Sequence, residues 1–390
     1  LAIKTSPTLA LDVRTKELQR QGVDIISFAV GEPDFDTPDH IKEAAITAIR
    51  QGFTKYTPSN GIPELREAIV GKFRRDNGLE YQPGEVMVSI GAKHCIFNAI
   101  MVLCDEGDEV LIPSPYWVSY PEMVRVAGGS PVSVTTSDGA NFKLSARQLE
   151  ESITPRTRVL ILNSPSNPTG AVYHRRELEE LAEVILRHRL WVISDEVYEQ
   201  LVYDDSQHLS IASLGPEIKA RTVVVNGVSK AFAMTGWRIG YLAAPAPLLK
   251  AMGDLQSHAT SNANAMAQWA SVAALNGPRG PILHMVAEFD RRRRYMAGRV
   301  SALPGFSCQL PAGAFYVFPN VTGVLGRKYR GKLIPDDEVL AELILTQAHV
   351  TVVPGSGFGY PSHLRLSYAT SMDKIEAGLD RIQRFLGQLD

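Results

Sequence analysis

Little in this chain invites an extreme reading. Three of its 390 residues are cysteine: Cys95, Cys104 and Cys308. The number is odd and the spacing suits no metal, which argues against a disulfide framework and for a reducing, cytoplasmic compartment. No charge of one sign dominates. Forty Lys and Arg stand against 42 Asp and Glu, a formal net charge of −2, which excludes a protein coated for nucleic acid or an acidic tail, though not a local basic patch. No apolar run approaches the roughly 20 residues that span a bilayer, so no membrane partner is expected. No targeting pattern is visible in residues 1–7, and because the chain opens on Leu1 a short preceding piece is expected. Repeats, low-complexity tracts and long linkers are missing. So is a Gly-x-Gly-x-x-Gly after any candidate strand, which leaves a dinucleotide enzyme with little support. What remains is an ordinary globular composition, 45% hydrophobic and 21% charged, with length for two domains and a large core.

Short β-branched runs give candidate strands at 85–90, 109–113, 132–135, 158–162, 190–194, 222–225 and 240–243. Apolar runs bounded by polar turns suit strands buried on both faces. Helical patterns such as 93–103 and 177–187 lie between them. This alternation predicts an α/β fold, with a mostly parallel central sheet and helices on both faces. After residue 280 the pattern changes to a long helix at 281–303, a strand-like stretch at 305–318, a helix at 336–347, strands at 350–353 and 364–368, and a last helix at 372–386. That mixture predicts a smaller α+β domain. The run Arg291–Arg294 is expected to be a solvated helix face, and the Pro/Gly-rich stretch 354–361 a functional loop.

Five constellations carry chemistry. The first is Val223-Val-Val-Asn-Gly-Val-Ser-Lys230, a lysine just past a buried strand. Strand ends of such sheets line the ligand crevice, and a partly desolvated lysine near other cations can attack a carbonyl to form a Schiff base. Ser229 and, eight residues on, Arg238 suit a phosphate beside it; a surface turn is the plain alternative. The second is Trp191-Val-Ile-Ser-Asp195-Glu-Val-Tyr198. Asp195 at a strand end needs a partner such as a protonated ring nitrogen, with Tyr198 donating to an oxygen on the same ring; helix capping is the alternative. The third, Asn163-Ser-Pro-Ser-Asn167-Pro-Thr-Gly170, is a loop stiffened by two X-Pro bonds that presents the Asn167 amide. In the fourth, Ser89-Ile-Gly91-Ala92-Lys93, a helix start offers N–H groups to a phosphate, and Lys93 stands near an anion, either that phosphate or a substrate carboxylate. The fifth is His363-Leu-Arg365-Leu-Ser-Tyr-Ala-Thr370. Arg365 faces opposite to Leu364 and Leu366, and an inward Arg needs an anion: a bidentate carboxylate guest, or a structural ion pair.

Together these motifs, with Val30-Gly31-Glu-Pro-Asp-Phe-Asp-Thr-Pro38 and Tyr56-Thr-Pro-Ser-Asn-Gly61, resemble the fold-type I, class I aminotransferases dependent on pyridoxal 5'-phosphate. The likeness runs from Lys4 to Leu386. Pro115-Tyr-Trp-Val-Ser-Tyr-Pro121 is similar to the bacterial and plant aspartate aminotransferases of the subgroup that includes prephenate aminotransferases. The resemblance implies a large cofactor-binding domain at 39–285, a small C-terminal domain at 286–390, and an N-terminal segment, 1–38, belonging to the small one. It implies that Lys230 holds the cofactor and acts as general base. Asp195 pairs with the ring nitrogen, Asn167 and Tyr198 bond the ring oxygen, and Trp117 stacks on the ring. Gly91, Ala92, Ser229 and Arg238 hold the phosphate, with Tyr56 reaching it from the neighbouring subunit of a homodimer. Arg365 clamps the substrate α-carboxylate, helped by Gly31, Trp117 and Asn167.

Where many relatives place a partner-subunit Arg for the distal carboxylate, Gln256-Ser-His-Ala-Thr-Ser-Asn262 has none. The resembled subgroup implies Lys93 in that role, with a hydrogen bond from Thr8 and an influence of the region near Lys4 on prephenate use. Gly227 stands where other branches have a serine that bonds the phosphate. The implied reaction moves the amino group of L-aspartate to 2-oxoglutarate, with prephenate as a further acceptor. The alternatives are an aromatic or alanine transaminase, a carbon–sulfur lyase of the same cofactor, or a regulator, for which no DNA-binding segment appears.

Overall fold

The computed structural model describes residues 7–390, without the side chains of residues 7–10 and 12. Seven strands form the central sheet: β1 (Val86–Ser89), β2 (Glu109–Ser114), β3 (Ser130–Thr135), β4 (Thr157–Asn163), β5 (Trp191–Asp195), β6 (Thr222–Gly227) and β7 (Gly240–Ala243). Every expected strand of this sheet forms, with ends shifted by two residues at most. The order across the sheet is β1-β7-β6-β5-β4-β2-β3. All neighbours run parallel except β7, which is antiparallel to both β1 and β6.

Side-chain alternation explains why these strands read as unbroken apolar runs. Val223 and Val225 pack on one face with Cys95, Ile96 and Ile100 of the helix Ala92–Leu103, while Val224 packs on the other with Ile69 and Phe73 of the helix Pro63–Asn77. Likewise Val159 and Ile161 face the first layer, and Leu160 and Leu162 face Leu181 and Ile185 of the helix Arg175–Arg187. With both faces covered, each strand position is a core position.

A further core gathers the C-terminal elements. Phe289, Met296 and Val300 of the helix Gly280–Ser301 pack with Phe315, Ile344, Leu379 and Phe385. Here β8 (Tyr316–Val317), β9 (Val353–Pro354) and β10 (Leu364–Ser367) form an antiparallel sheet in the order β9-β10-β8. The N-terminal stretch joins this core, Ile26–Ser27 pairing parallel with Val350–Thr351. The expected strand at 305–318 shrinks to Tyr316–Val317, and 350–353 splits into two short strands. Both elements exist through pairing with distant chain, which local periodicity does not carry.

The Arg291–Arg294 run corrects an expectation. Arg292 and Arg293 are 6% and 1% exposed. Arg292 pairs with Asp34 and Glu288, and Arg293 with Asp204 and Asp290. The i,i+3 and i,i+4 acids were visible locally, but Asp34 and Asp204, which let the guanidiniums go inside, come from remote loops. No helix among the described residues is long and apolar enough to cross a membrane.

Candidate active site

The parallel strands deliver their carboxyl ends to one edge of the sheet. Asn163 and Asp195 are the last residues of β4 and β5, Ser229 and Lys230 follow β6, Gly91 follows β1, and Trp117 follows β2. Arg238 arrives from the opposite direction. Because β7 is antiparallel, the residues before it come to the same edge, with Gly240 in register with Gly227 and Ser89. Arg365, on β10, closes the crevice from the other core. The cavity between them is about 530 Å³.

This cavity brings together most of the residues singled out from sequence. Lys230, Asp195, Tyr198, Ser229, Arg238 and Asn167 line it, as do Ala92, Lys93, Trp117, Gly31 and Arg365. Gly91 lies directly behind, as the N-cap of the helix Ala92–Leu103. Tyr56 stays outside this chain's cavity and is 91% exposed. Lys4 and the Thr8 side chain fall outside the described residues.

Glycine is required where the turns meet. A Cβ on Gly91 (φ +83°) would stand 2.5 Å from Arg238 Nη2, and one on Gly240 would stand 2.1 Å from the Ala92 nitrogen. The guanidinium therefore lies close against a helix N-terminus whose first N–H groups have no intrahelical partner. Arg238 holds a left-handed backbone (φ 58°) and is anchored by a 2.9 Å bond from Nη1 to the Thr235 carbonyl. Helix N–H groups, a guanidinium and the Ser229 hydroxyl together make a cradle for a phosphate. At Gly227 a Cβ would come within 3.1 Å of the Ile239 carbonyl, so a serine there would crowd β7.

Asp195 is buried at 4% exposure. Its Oδ2 accepts a 2.6 Å bond from Tyr120 Oη, and its Oδ1 a long 3.3 Å bond from the Val197 N–H. The capping alternative thus accounts for one weak bond only. Burial pushes its carboxyl up to about 6, against the Tyr120 hydrogen bond. The Lys230 amine donates to the Gly31 carbonyl. Burial pulls its pKa down to about 8, opposed by Glu32 and helped by Arg365 and Arg238; this is a lysine poised to carry and release a proton, not a surface turn. Burial holds the Tyr198 phenol well above its usual range, so it stays protonated.

Arg365 is buried and meets no carboxylate among the described residues. Nη1 donates to Asn167 Oδ1 at 3.0 Å and Nη2 to the Ala29 carbonyl at 2.6 Å, while its buried Nε has no partner. The ion-pair alternative therefore fails. A buried guanidinium with a spare donor is a site for an anionic guest. Asn167 is oriented in turn by its N–H bond to Asn163 Oδ1, 2.8 Å. Lys93 lies 4.8 Å from the Trp117 ring centroid, its pKa lowered by burial and then by Arg238.

Sequence reasoning missed Lys16, Tyr120, Tyr316 and Glu32; Lys16 lines the cavity from the helix Pro7–Arg20. Tyr120 sits one helical turn past Trp117 and grips Asp195. Tyr316, on β8, meets Tyr198 Oη at 3.0 Å and lies under the Arg365 guanidinium at 4.5 Å. Glu32 lines the cavity and takes a 2.8 Å bond from Thr235 Oγ1. Tyr120 and Glu32 were polar side chains inside motifs noted for other residues, and Tyr316 lay in a stretch read only as a strand. Glu196, Glu199 and His208 also cluster, their ligand atoms within 4.8 Å. Glu196 is taken up by Ser194, Ser210 and His208, and Glu199 by Lys72 and Asn77. The two carboxylates are thus held by charge and hydroxyl partners that pin the chain after β5, with His208 Nδ1 left unbonded.

The chain is similar to known proteins over its whole length. The chain is 51% identical over 385 residues to the aspartate aminotransferase of Geobacillus stearothermophilus, covering 99% of this chain and 97% of that one. It is 48% identical over 389 residues to the aspartate/prephenate aminotransferase of Cereibacter sphaeroides, with 99% and 97% covered. Among solved structures, the aspartate aminotransferase from Rhizobium meliloti superposes with a TM-score of 0.97 at 46% identity, covering 100% and 98% of the two chains. That of Thermus thermophilus with maleate gives 0.93 at 44%, covering 98% and 97%. Residues 23–382 match the family model for aminotransferase class I and II, and the chain belongs to that family.

Proposed function

We propose that this aminotransferase is an aspartate aminotransferase, moving the amino group of L-aspartate to 2-oxoglutarate to give oxaloacetate and L-glutamate with ping-pong kinetics. The observation that carries the reading is the arrangement in one cavity of the Lys230 amine, the buried Asp195 carboxylate and Arg365 with its unpartnered Nε. Pyridoxal 5'-phosphate fits the residues present. The glycine-floored cradle at Gly91, Ala92, Ser229 and Arg238 suits its phosphate, a buried carboxylate suits its cationic ring nitrogen, and Asn167 and Tyr198 suit its ring oxygen. When bound, the group supplies an electrophilic carbon and an electron-withdrawing ring.

The chain's own part follows from charge and burial. Lys230 would hold the cofactor and, as a free amine, take the proton from the substrate α-carbon and return one; a pKa near the operating pH favours both directions. Arg365 fixes the α-carboxylate, so the α-proton faces that amine. Trp117 and Tyr316 wall the site, and Lys93, which lines the same cavity beside Trp117, would meet the second carboxylate of a dicarboxylic substrate. The relatives named for aspartate and for prephenate, and a neighbour whose structure holds maleate, support substrates with two carboxylates, prephenate included. Half-reaction rates with aspartate, glutamate, prephenate and phenylalanine test the reading. Aspartate and glutamate react fastest if it is right, and a preference for phenylalanine or alanine overturns it.

The same reading divides the chain at 38/39 and 285/286, the second boundary falling inside the helix Gly280–Ser301. It makes the protein a homodimer: Tyr56, 91% exposed, follows the exposed Ile49 and Phe53 in the chain, which suits a surface that covers a neighbour and lends it a hydroxyl. Sedimentation showing a fully active monomer contradicts this. Three free thiols, Cys95 and Cys104 buried among them, suit work in the cytoplasm.

A further inference from the structure

Asp195 has two oxygens and two unequal partners. The short 2.6 Å bond from Tyr120 Oη falls on Oδ2, while Oδ1 has only the 3.3 Å contact from the Val197 N–H. Tyr120 is itself 2% exposed. Its ring stands edge-on to Trp117 at 5.3 Å, so its hydroxyl is held in place from the side of the cavity where the cofactor ring would stack. A hydroxyl held there can donate but has no route to solvent. A carboxylate gains from such a donor, and a neutral acid gains much less.

We propose that Tyr120 is a positioning residue for Asp195: its hydroxyl holds one carboxylate oxygen, favours the ionised form and leaves the other oxygen free to pair with a cationic ring nitrogen. The inference rests on the pyridoxal phosphate reading above. The other groups facing Asp195 are Cys95 from the helix Ala92–Leu103, Lys230 from the loop after β6, and Glu196 and Tyr198 beside it in the chain. Burial pushes the Cys95 thiol up to about 12 and the Tyr120 phenol well above its usual range, so neither carries charge at neutral pH. Lys230 favours the Asp195 carboxylate and Glu196 opposes it. Tyr120 is therefore the one neutral side-chain donor bonded to this carboxylate among the described residues, set against the burial that would otherwise neutralise it.

The test compares the affinity of the full-length chain for pyridoxal 5'-phosphate with that for its 1-deaza analogue, in which carbon replaces the ring nitrogen. Tyr120→Phe keeps the ring against Trp117 and removes only the donor. It should weaken pyridoxal phosphate binding about tenfold or more, the scale of a hydrogen bond to a charged group, and move the pH profile of that affinity upward. Binding of the deaza analogue should stay within about twofold of wild type. In an Asp195→Asn background the Tyr120→Phe effect should vanish. Tyr329→Phe, which removes a hydroxyl bonded to Gln347 at 2.9 Å in the C-terminal core, should leave both affinities unchanged. Equal weakening for both ligands, or an effect that persists without the Asp195 charge, overturns the proposal and leaves Tyr120 a packing residue. A wild-type chain that fails to bind pyridoxal phosphate overturns the functional reading itself, and this inference with it.

Discussion

Replacing Lys230 by methionine in the cofactor-free chain removes a charge from a place where charge is costly. Burial is the main reason its pKa falls from 10.5 to about 8. At about 1.4 kcal/mol for each tenfold change in acidity, that fall costs the protonated folded state ~3 kcal/mol. Methionine has nearly the same shape and escapes the cost, but it loses the bond from the amine to the Gly31 carbonyl, about 1 kcal/mol. The variant should therefore be ~2 kcal/mol more stable than wild type at pH 7. The sign depends on pH. Because the folded pKa is the lower one, the unfolded chain binds more protons between pH 8 and 10.5, and wild-type stability rises with pH through that window. The methionine advantage should shrink as pH rises from 8 and be gone by pH 10. Urea unfolding at fixed protein concentration, at pH 7 and pH 10, reads both values. A difference of the same size at both pH values, or a wild type that is the more stable at pH 7, would refute the argument that desolvation poises this amine.

Three other outcomes follow from named contacts. Lys93→Met should lower kcat/KM for aspartate by about 10- to 100-fold, the value of a hydrogen-bonded charge, with phenylalanine changed little; equal losses would remove Lys93 as the ligand of the distal carboxylate. Gly240→Ala puts a methyl 2.1 Å from the Ala92 nitrogen, a backbone clash costing about 1–3 kcal/mol, so both thermal stability and cofactor retention should fall; unchanged retention would mean that the phosphate does not rest on that turn. Arg293→Met removes the buried guanidinium that bonds Asp290, Asp204 and the Pro311 carbonyl, while Arg294 still pairs with both acids, and should destabilise by about 1.5–3 kcal/mol in thermal unfolding; a change under ~1 kcal/mol would restore the reading of a solvated arginine face.

What was legible from sequence, and what was not, divides along a physical line. Lys230, Asp195 and Arg365 stood out because each is a charge set into an apolar run. A buried strand exposes such residues to inspection, and the fold then placed all three in one cavity. Tyr120, Tyr316 and Glu32 stood out in no way. A tyrosine hydroxyl matters only through the atom it meets, and Tyr120 meets Asp195 across 75 positions of chain. The two-residue strands of the C-terminal core were blurred for the same reason, and so were Arg292 and Arg293, whose remote partners are Asp34 and Asp204. Arg238 shows the limit most clearly. Its motif was legible, but its place depends on β7 running against its neighbours, which no property of Gly240–Ala243 declares. Reverse that strand, and the guanidinium would sit at the far edge of the sheet with the same sequence around it. The near-zero net charge of the whole chain is uninformative in the same way. The crevice gathers Lys16, Lys93, Lys230, Arg238 and Arg365 against Glu32 and Asp195, and it is mainly the direction of the strands, not the composition, that concentrates positive charge where a phosphate and two carboxylates would bind.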